Sequence, residues 1–80
     1  MHELGVMRQI VKTVSRVTEQ NAIRCVKHIA LEVGDASGFV PYYLKKLYPV
    51  AVDACPVLQS AELRISVVSG RGLVIKEIGY

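Results

Sequence analysis

Apolar residues recur every three or four positions over the first part of the chain. This spacing predicts an amphipathic helix from about Glu3 to about Glu19. The apolar stripe consists of Leu4, Met7, Ile10, Val11, Val14 and Val17. Arg8, Lys12 and Arg16 are spaced to lie on the opposite face. That basic stripe fits either a solvated helix face or a contact with an acidic protein surface.

The hydrophobic period then changes from that of a helix to that of a strand. In the segment VKHIALEVG, Ile29, Leu31 and Val33 alternate with polar or small residues. This alternation predicts a strand that is covered on one face. We therefore expect His28 to point to solvent beside Glu32.

A second helix is predicted after the turn residues of GDASGFVP, with Pro41 at its first position. The residues expected to face the sheet are Val40, Leu44, Leu47, Tyr48 and Ala51. Pro49 lacks a backbone donor and clashes with the preceding turn. We expect a kink or an early stop of the helix there.

Two further alternating runs, AELRISVV and GLVIKEIGY, predict two more strands. Between them SGRG, residues 69–72, has the composition of a tight hairpin loop. Ile78 breaks the alternation set by Leu73 and Ile75, which predicts a bulge near Lys76 and Glu77.

The element order α-β-α-β-β indicates an α+β fold, a two-layer sandwich in which both helices cover one face of a three-stranded sheet. The chain has 80 residues, which favours a single domain over residues 1–80. Hydrophobic residues make up 51% and charged residues 21%, so the chain can form a core. Its apolar runs are too short for a membrane span or a signal peptide. Cytoplasmic location is the expectation, with no membrane partner.

The charge and the cysteine content of the chain make several classes of function less favoured. The net charge of +3 is modest, and no aromatic residues interleave with the basic ones, so we predict no nucleic-acid partner. The two cysteines, Cys25 and Cys55, form no C-x-x-C pair. Buried free thiols are favoured over a disulfide. The chain also lacks a nucleophile with a base, paired carboxylates and a glycine-rich phosphate loop, which disfavours an enzyme.

The first three residues, Met1, His2 and Glu3, carry the most specific chemistry. The terminal amine, the His2 amide and the His2 imidazole can close two adjacent chelate rings around one ion. Planar nitrogen donors suit Ni(II) or Cu(II) better than zinc or magnesium. A histidine near a chain end more often binds nothing, so the motif alone leaves both interpretations open.

Four blocks of sequence resemble the HypA/HybF family of hydrogenase-maturation nickel metallochaperones. They are MHELGVM, HIALEVGDASGFVP, AELRI and SGRGLVIKEIGY, in the order in which the family has them. The resemblance implies nickel binding through Met1, His2 and Glu3. It also implies a partner GTPase, HypB, and delivery of Ni(II) to the precursor of the hydrogenase large subunit, in some cases with a urease accessory protein.

One departure from the family pattern is large. Members carry a zinc-binding module with two C-x-x-C pairs between the last two strands, whereas here Val68 continues directly into Ser69. We therefore expect no zinc in this chain. The alternative to a nickel-binding domain is a protein-interaction module, or a shortened paralogue, that docks a partner without binding metal.

Overall fold

Two helices and three strands follow one another in the predicted order. The computed structural model describes residues 2–80. Its elements are helix α1 (Glu3–Gln20), strand β1 (His28–Gly34), helix α2 (Pro41–Ala51), a 3₁₀ turn (Pro56–Leu58), strand β2 (Glu62–Val68) and strand β3 (Leu73–Gly79). The predicted α+β class and element order are confirmed.

Helix α1 places its apolar stripe on the core, with Met7 and Val14 fully buried, and leaves the basic stripe exposed. The helix ends in a Schellman motif, in which Ile23 N donates to Thr18 O at 2.9 Å and Ala22 N donates to Glu19 O at 3.4 Å. Ala22 takes the left-handed conformation at φ 54°. Since glycine adopts this conformation more readily, alanine makes the helix end less stable than it could be.

Strand β1 lies at the centre of the sheet, in the order β2-β1-β3, parallel to β2 and antiparallel to β3. The predicted hairpin between the last two strands is therefore wrong. Residues 69–72 instead cross the carboxyl end of β1. The crossing is held by backbone bonds of 2.7 Å from Asp35 N to Val68 O and from Gly34 N to Gly72 O.

The predicted bulge in β3 is confirmed. Ala30 pairs with Glu77 and Leu31 pairs with Ile75, so Lys76 is the extra residue. The extra residue returns Ile78 to the side of the sheet that carries Ile75, and both pack against the core.

Of the predicted kink or early stop at Pro49, the stop is wrong, because helix α2 continues through Pro49 to Ala51, whereas the kink stays a prediction. Helical bonding resumes beyond the proline, where Val52 N donates to Tyr48 O at 3.1 Å. Leu44 and Tyr48 are buried as expected, but Val40 is 40% exposed because it precedes the helix as its N-cap.

Both helices cover the same face of the sheet, as predicted. The central core residues, buried together on that face, are Met7, Val14, Ile29, Leu31, Val33, Leu44, Leu58 and Leu63. The opposite face carries polar side chains. There His28 pairs with Glu77 at 2.8 Å and is only 17% exposed, whereas Glu32 lies 3.7 Å from Lys76. The expectation that His28 points to solvent beside Glu32 is therefore wrong, since the bulged strand brings Glu77 to it.

Both cysteines are free, but the expected burial is only partly found. Cys25 is exposed, and Cys55 is half-buried with its Sγ 3.0 Å from Ser15 Oγ.

Over residues 2–80, neither helix has the length and apolar character needed to cross a membrane.

Candidate metal site at the amino terminus

His2 immediately precedes Glu3, the first residue of helix α1. It is the N-cap residue, with φ −113° and ψ 50°, and it is exposed. Its carbonyl accepts the first helical bond, from Val6 N at 3.0 Å. The amides of His2 and Glu3 precede that bond, as the first amides of any helix do. A metal ion at these nitrogens therefore displaces no helical bond. Met1 lies outside the described residues.

Glu3 differs from His2, because its side chain is turned into the molecule. The residue is 6% exposed, and its Oε2 accepts a hydrogen bond of 3.2 Å from the backbone N–H of Val40. Val40 is the N-cap of α2, so the carboxylate lies beside the start of both helices. The partial positive charge at helix N-termini favours an anion at such a position.

The structure thus gives the predicted donors different surroundings. The His2 imidazole is on the surface, whereas the Glu3 carboxylate accepts a hydrogen bond from the backbone N–H of Val40, which lies 37 positions later in the sequence. Sequence reasoning missed Val40 as a neighbour of the motif. Neither its type nor its spacing indicates the contact, because only the packing of α1 against α2 creates it.

The second histidine belongs to an ionic cluster on the open face of the sheet. The hydrogen bond between His28 and Glu77 holds the pKa of the Glu77 carboxyl below its usual range. Arg64 lowers the pKa of Glu62 in the same way, through a 2.5 Å bond. These contacts lie on the surface of the sheet, where such pairs contribute little to stability. Within residues 2–80, no three His, Cys, Asp or Glu side chains are grouped to hold a metal ion.

Among the described residues of the predicted motif, His2 and Glu3 therefore offer backbone amide nitrogen and one exposed imidazole as candidate donors. Such a donor set suits a d⁸ or d⁹ ion in a planar field, and it needs no cluster of acidic or thiol side chains.

The chain is similar to known proteins over nearly its whole length. Residues 1–78 match the family model HypA, described as a hydrogenase/urease nickel incorporation metallochaperone. No curated protein sequence matches the chain.

Two solved structures resemble the fold. The solution structure of the Ni metallochaperone HypA from Helicobacter pylori superposes with a TM-score of 0.79 at 13% identity, and the match covers 96% of this chain and 72% of that one. A second HypA solution structure gives a TM-score of 0.73 at 13% identity, covering 96% and 71% of the two chains. At this identity the likeness concerns the fold.

Proposed function

Because the chain belongs to the HypA family of nickel metallochaperones for hydrogenase and urease, we propose that it carries Ni(II) on the segment Met1-His2-Glu3. The Met1 amine, the His2 amide and the His2 imidazole supply the first donors. The Glu3 amide is a further donor. The observation that carries the proposal is the exposed position of His2 ahead of the first helical bond.

The site is suited to a cargo that must be released. The His2 imidazole lies on the surface, so a partner can approach a metal bound there without opening the core. Nickel competes with protons for the amine and the imidazole, so its affinity should fall as the solution is acidified below neutrality.

The partners follow from this role. We infer that the chain receives or passes nickel in contact with the GTPase HypB and delivers it to the precursor of the hydrogenase large subunit, or to urease through an accessory protein. It acts as an accessory protein of the cytoplasm and not as an enzyme. The family's description as a nickel-incorporation metallochaperone supports this inference.

Residues 1–80 form, on this proposal, a single nickel-binding domain without a zinc module. The crossing from Val68 to Leu73 is closed by backbone bonds to β1 and leaves only residues 69–72 between the strands. The match covers 72% of the Helicobacter pylori chain, so part of that chain has no counterpart here. Cys25 and Cys55 also lack the close spacing from which four-ligand structural zinc sites are built.

Acetylation of Met1 tests the proposed donors directly, on protein whose amino terminus is Met1. Acetylation removes the lone pair of the amine and supplies no substitute. We expect nickel affinity at pH 7.5 to fall at least ~tenfold, equivalent to about 1.4 kcal/mol. Helix content and thermal unfolding should not change, because the exposed His2 adds nothing to the core.

A pair of histidine variants provides the matched control. His2→Ala should abolish specific nickel binding by titration calorimetry, whereas His28→Ala should retain it, because His28 is paired with Glu77 on the open sheet face. Equal nickel binding by acetylated and free protein would place the ligands elsewhere. Absence of specific binding in the unmodified protein would instead favour the protein-interaction module that docks a partner without metal.

A further inference from the structure

The Glu3 side chain is the one part of the amino-terminal motif that nickel binding through backbone nitrogen does not use. Glu3 as a whole residue is only 6% exposed, and a buried carboxylate costs free energy unless it is hydrogen-bonded. The Val40 N–H, 3.2 Å from Oε2, supplies such a bond. The buried position of Glu3 therefore depends on this hydrogen bond.

The geometry makes the carboxylate a link between two helices. Glu3 is the first residue of α1, and Val40 is the N-cap of α2, whose carbonyl accepts bonds from Tyr43 N at 3.0 Å and Leu44 N at 3.1 Å. A single side chain thus connects the residue next to His2 with the first turn of α2. The two helix N-termini add favourable charge–dipole interactions.

The segment that leads to Val40 is anchored at its far end. Asp35 N donates to Val68 O at 2.7 Å, and Ala36 N donates to Gly70 O at 2.8 Å. Beyond these bonds, Ser37 Oγ accepts from Phe39 N at 3.2 Å. Loss of the bond to Glu3 would therefore loosen the backbone near Val40 and leave the bonds of Asp35 and Ala36 in place.

We propose that the Glu3 carboxylate is a positioning group and not a nickel donor. By accepting the Val40 N–H, it fixes the backbone of residue 3, and with it the His2 nitrogens, against the start of α2. This inference rests on the proposed nickel site for its consequence, but the link between Glu3 and Val40 exists in the metal-free protein. In the nickel-bound protein, the Glu3 carboxylate still accepts the hydrogen bond from the Val40 N–H.

Three variants separate the positioning role from a donor role. Glu3→Gln keeps an oxygen that can accept the Val40 N–H, whereas Glu3→Ala removes it. Glu19→Ala is the matched control, since it deletes one exposed carboxylate from the same helix. Hydrogen exchange of the Val40 amide is measured by NMR in the metal-free proteins, with the Ala36 amide as internal reference.

In Glu3→Ala we expect the Val40 amide to exchange about tenfold faster or more, since its acceptor is gone, while the Ala36 amide is unchanged. In Glu3→Gln and Glu19→Ala, Val40 exchange should stay within about threefold of the wild type. Unchanged Val40 exchange in Glu3→Ala would overturn the proposal.

Nickel titration and the nickel absorption spectrum complete the test. Glu3→Gln should bind nickel within about threefold of the wild-type affinity and with the same spectrum, while Glu3→Ala binds about three- to tenfold more weakly. If Glu3→Gln lost as much affinity as Glu3→Ala and its spectrum changed, the carboxylate would be a donor and the proposal would be wrong. A wrong assignment of the nickel site gives a different result from a wrong assignment of Glu3. If the nickel site is wrong, His2→Ala binds nickel as the wild type does, whatever the hydrogen-exchange rate of the Val40 amide.

Discussion

Gly34→Ala should be strongly destabilising, because Gly34 lies where residues 69–72 cross the end of β1. A Cβ at this position would overlap the Gly70 carbonyl, with its carbon atom at 2.6 Å, and would lie 2.9 Å from Gly72 O. All of these atoms belong to the backbone, so no side chain can rotate away to relieve the overlap. The crossing segment as a whole has to move.

The expected loss in free energy of unfolding follows from the packing and the hydrogen bonds that this movement disturbs. Overpacking of a closed site costs about 1–3 kcal/mol. The same movement lengthens the bonds from Gly34 N to Gly72 O and from Ala36 N to Gly70 O, now 2.7 and 2.8 Å, each with a net contribution of about 0.5–1.5 kcal/mol. We expect a loss of about 2–4 kcal/mol, since the bonds weaken without all being lost. For 80 residues the total free energy of unfolding is about 4–12 kcal/mol.

Urea unfolding followed by circular dichroism measures the loss. Gly72→Ala is the matched control, because it lies in the same crossing, has no atom within 4 Å of its added Cβ and does not adopt a positive φ. It should remain within about 0.5 kcal/mol of the wild type. If Gly34→Ala unfolded at the same urea concentration as Gly72→Ala, the close crossing over β1 would be refuted.

Two further predictions concern the helix end and the ionic face of the sheet. Ala22→Gly should raise the free energy of unfolding by about 1 kcal/mol, because residue 22 is left-handed at φ 54°; an unchanged midpoint in urea would argue against the Schellman end. Glu77→Gln should lower stability near neutral pH, and the difference from the wild type should vanish on acidification. The pKa of Glu77 is lowered in the fold, so its contribution is present above the unfolded value of ~4.3 and is lost as pH falls through the lower folded value. A difference that grew on acidification, in urea titrations at several pH values, would contradict this sign.

Local pattern determined the elements and their buried faces. The helical period from Leu4 to Val17 and the alternation of Ile29, Leu31 and Val33 each identify the face that meets the core, because burial of apolar surface repeats with the period of the element. The bulge at Lys76 was also predictable, since Ile78 can reach the core only if one residue is skipped.

The amino-terminal donors are also predicted from local sequence, because they lie on the consecutive residues Met1, His2 and Glu3, and their role in binding nickel stays a prediction. The family of the chain was identified from four short blocks, and the family model confirms that identification.

Strand order and the environment of each charge were decided by tertiary structure alone. Two strands joined by residues 69–72 satisfy the hairpin pattern, yet β1 lies between them. The crossing segment then supplies the acceptors for the backbone N–H groups of Gly34 and Asp35. The burial of Glu3 against Val40 and the pairing of His28 with Glu77 also depend on residues far apart in sequence. Hydrophobic periodicity specifies which side of an element faces inward, but it carries no information about which distant backbone donor or charge the folded chain brings to a polar side chain.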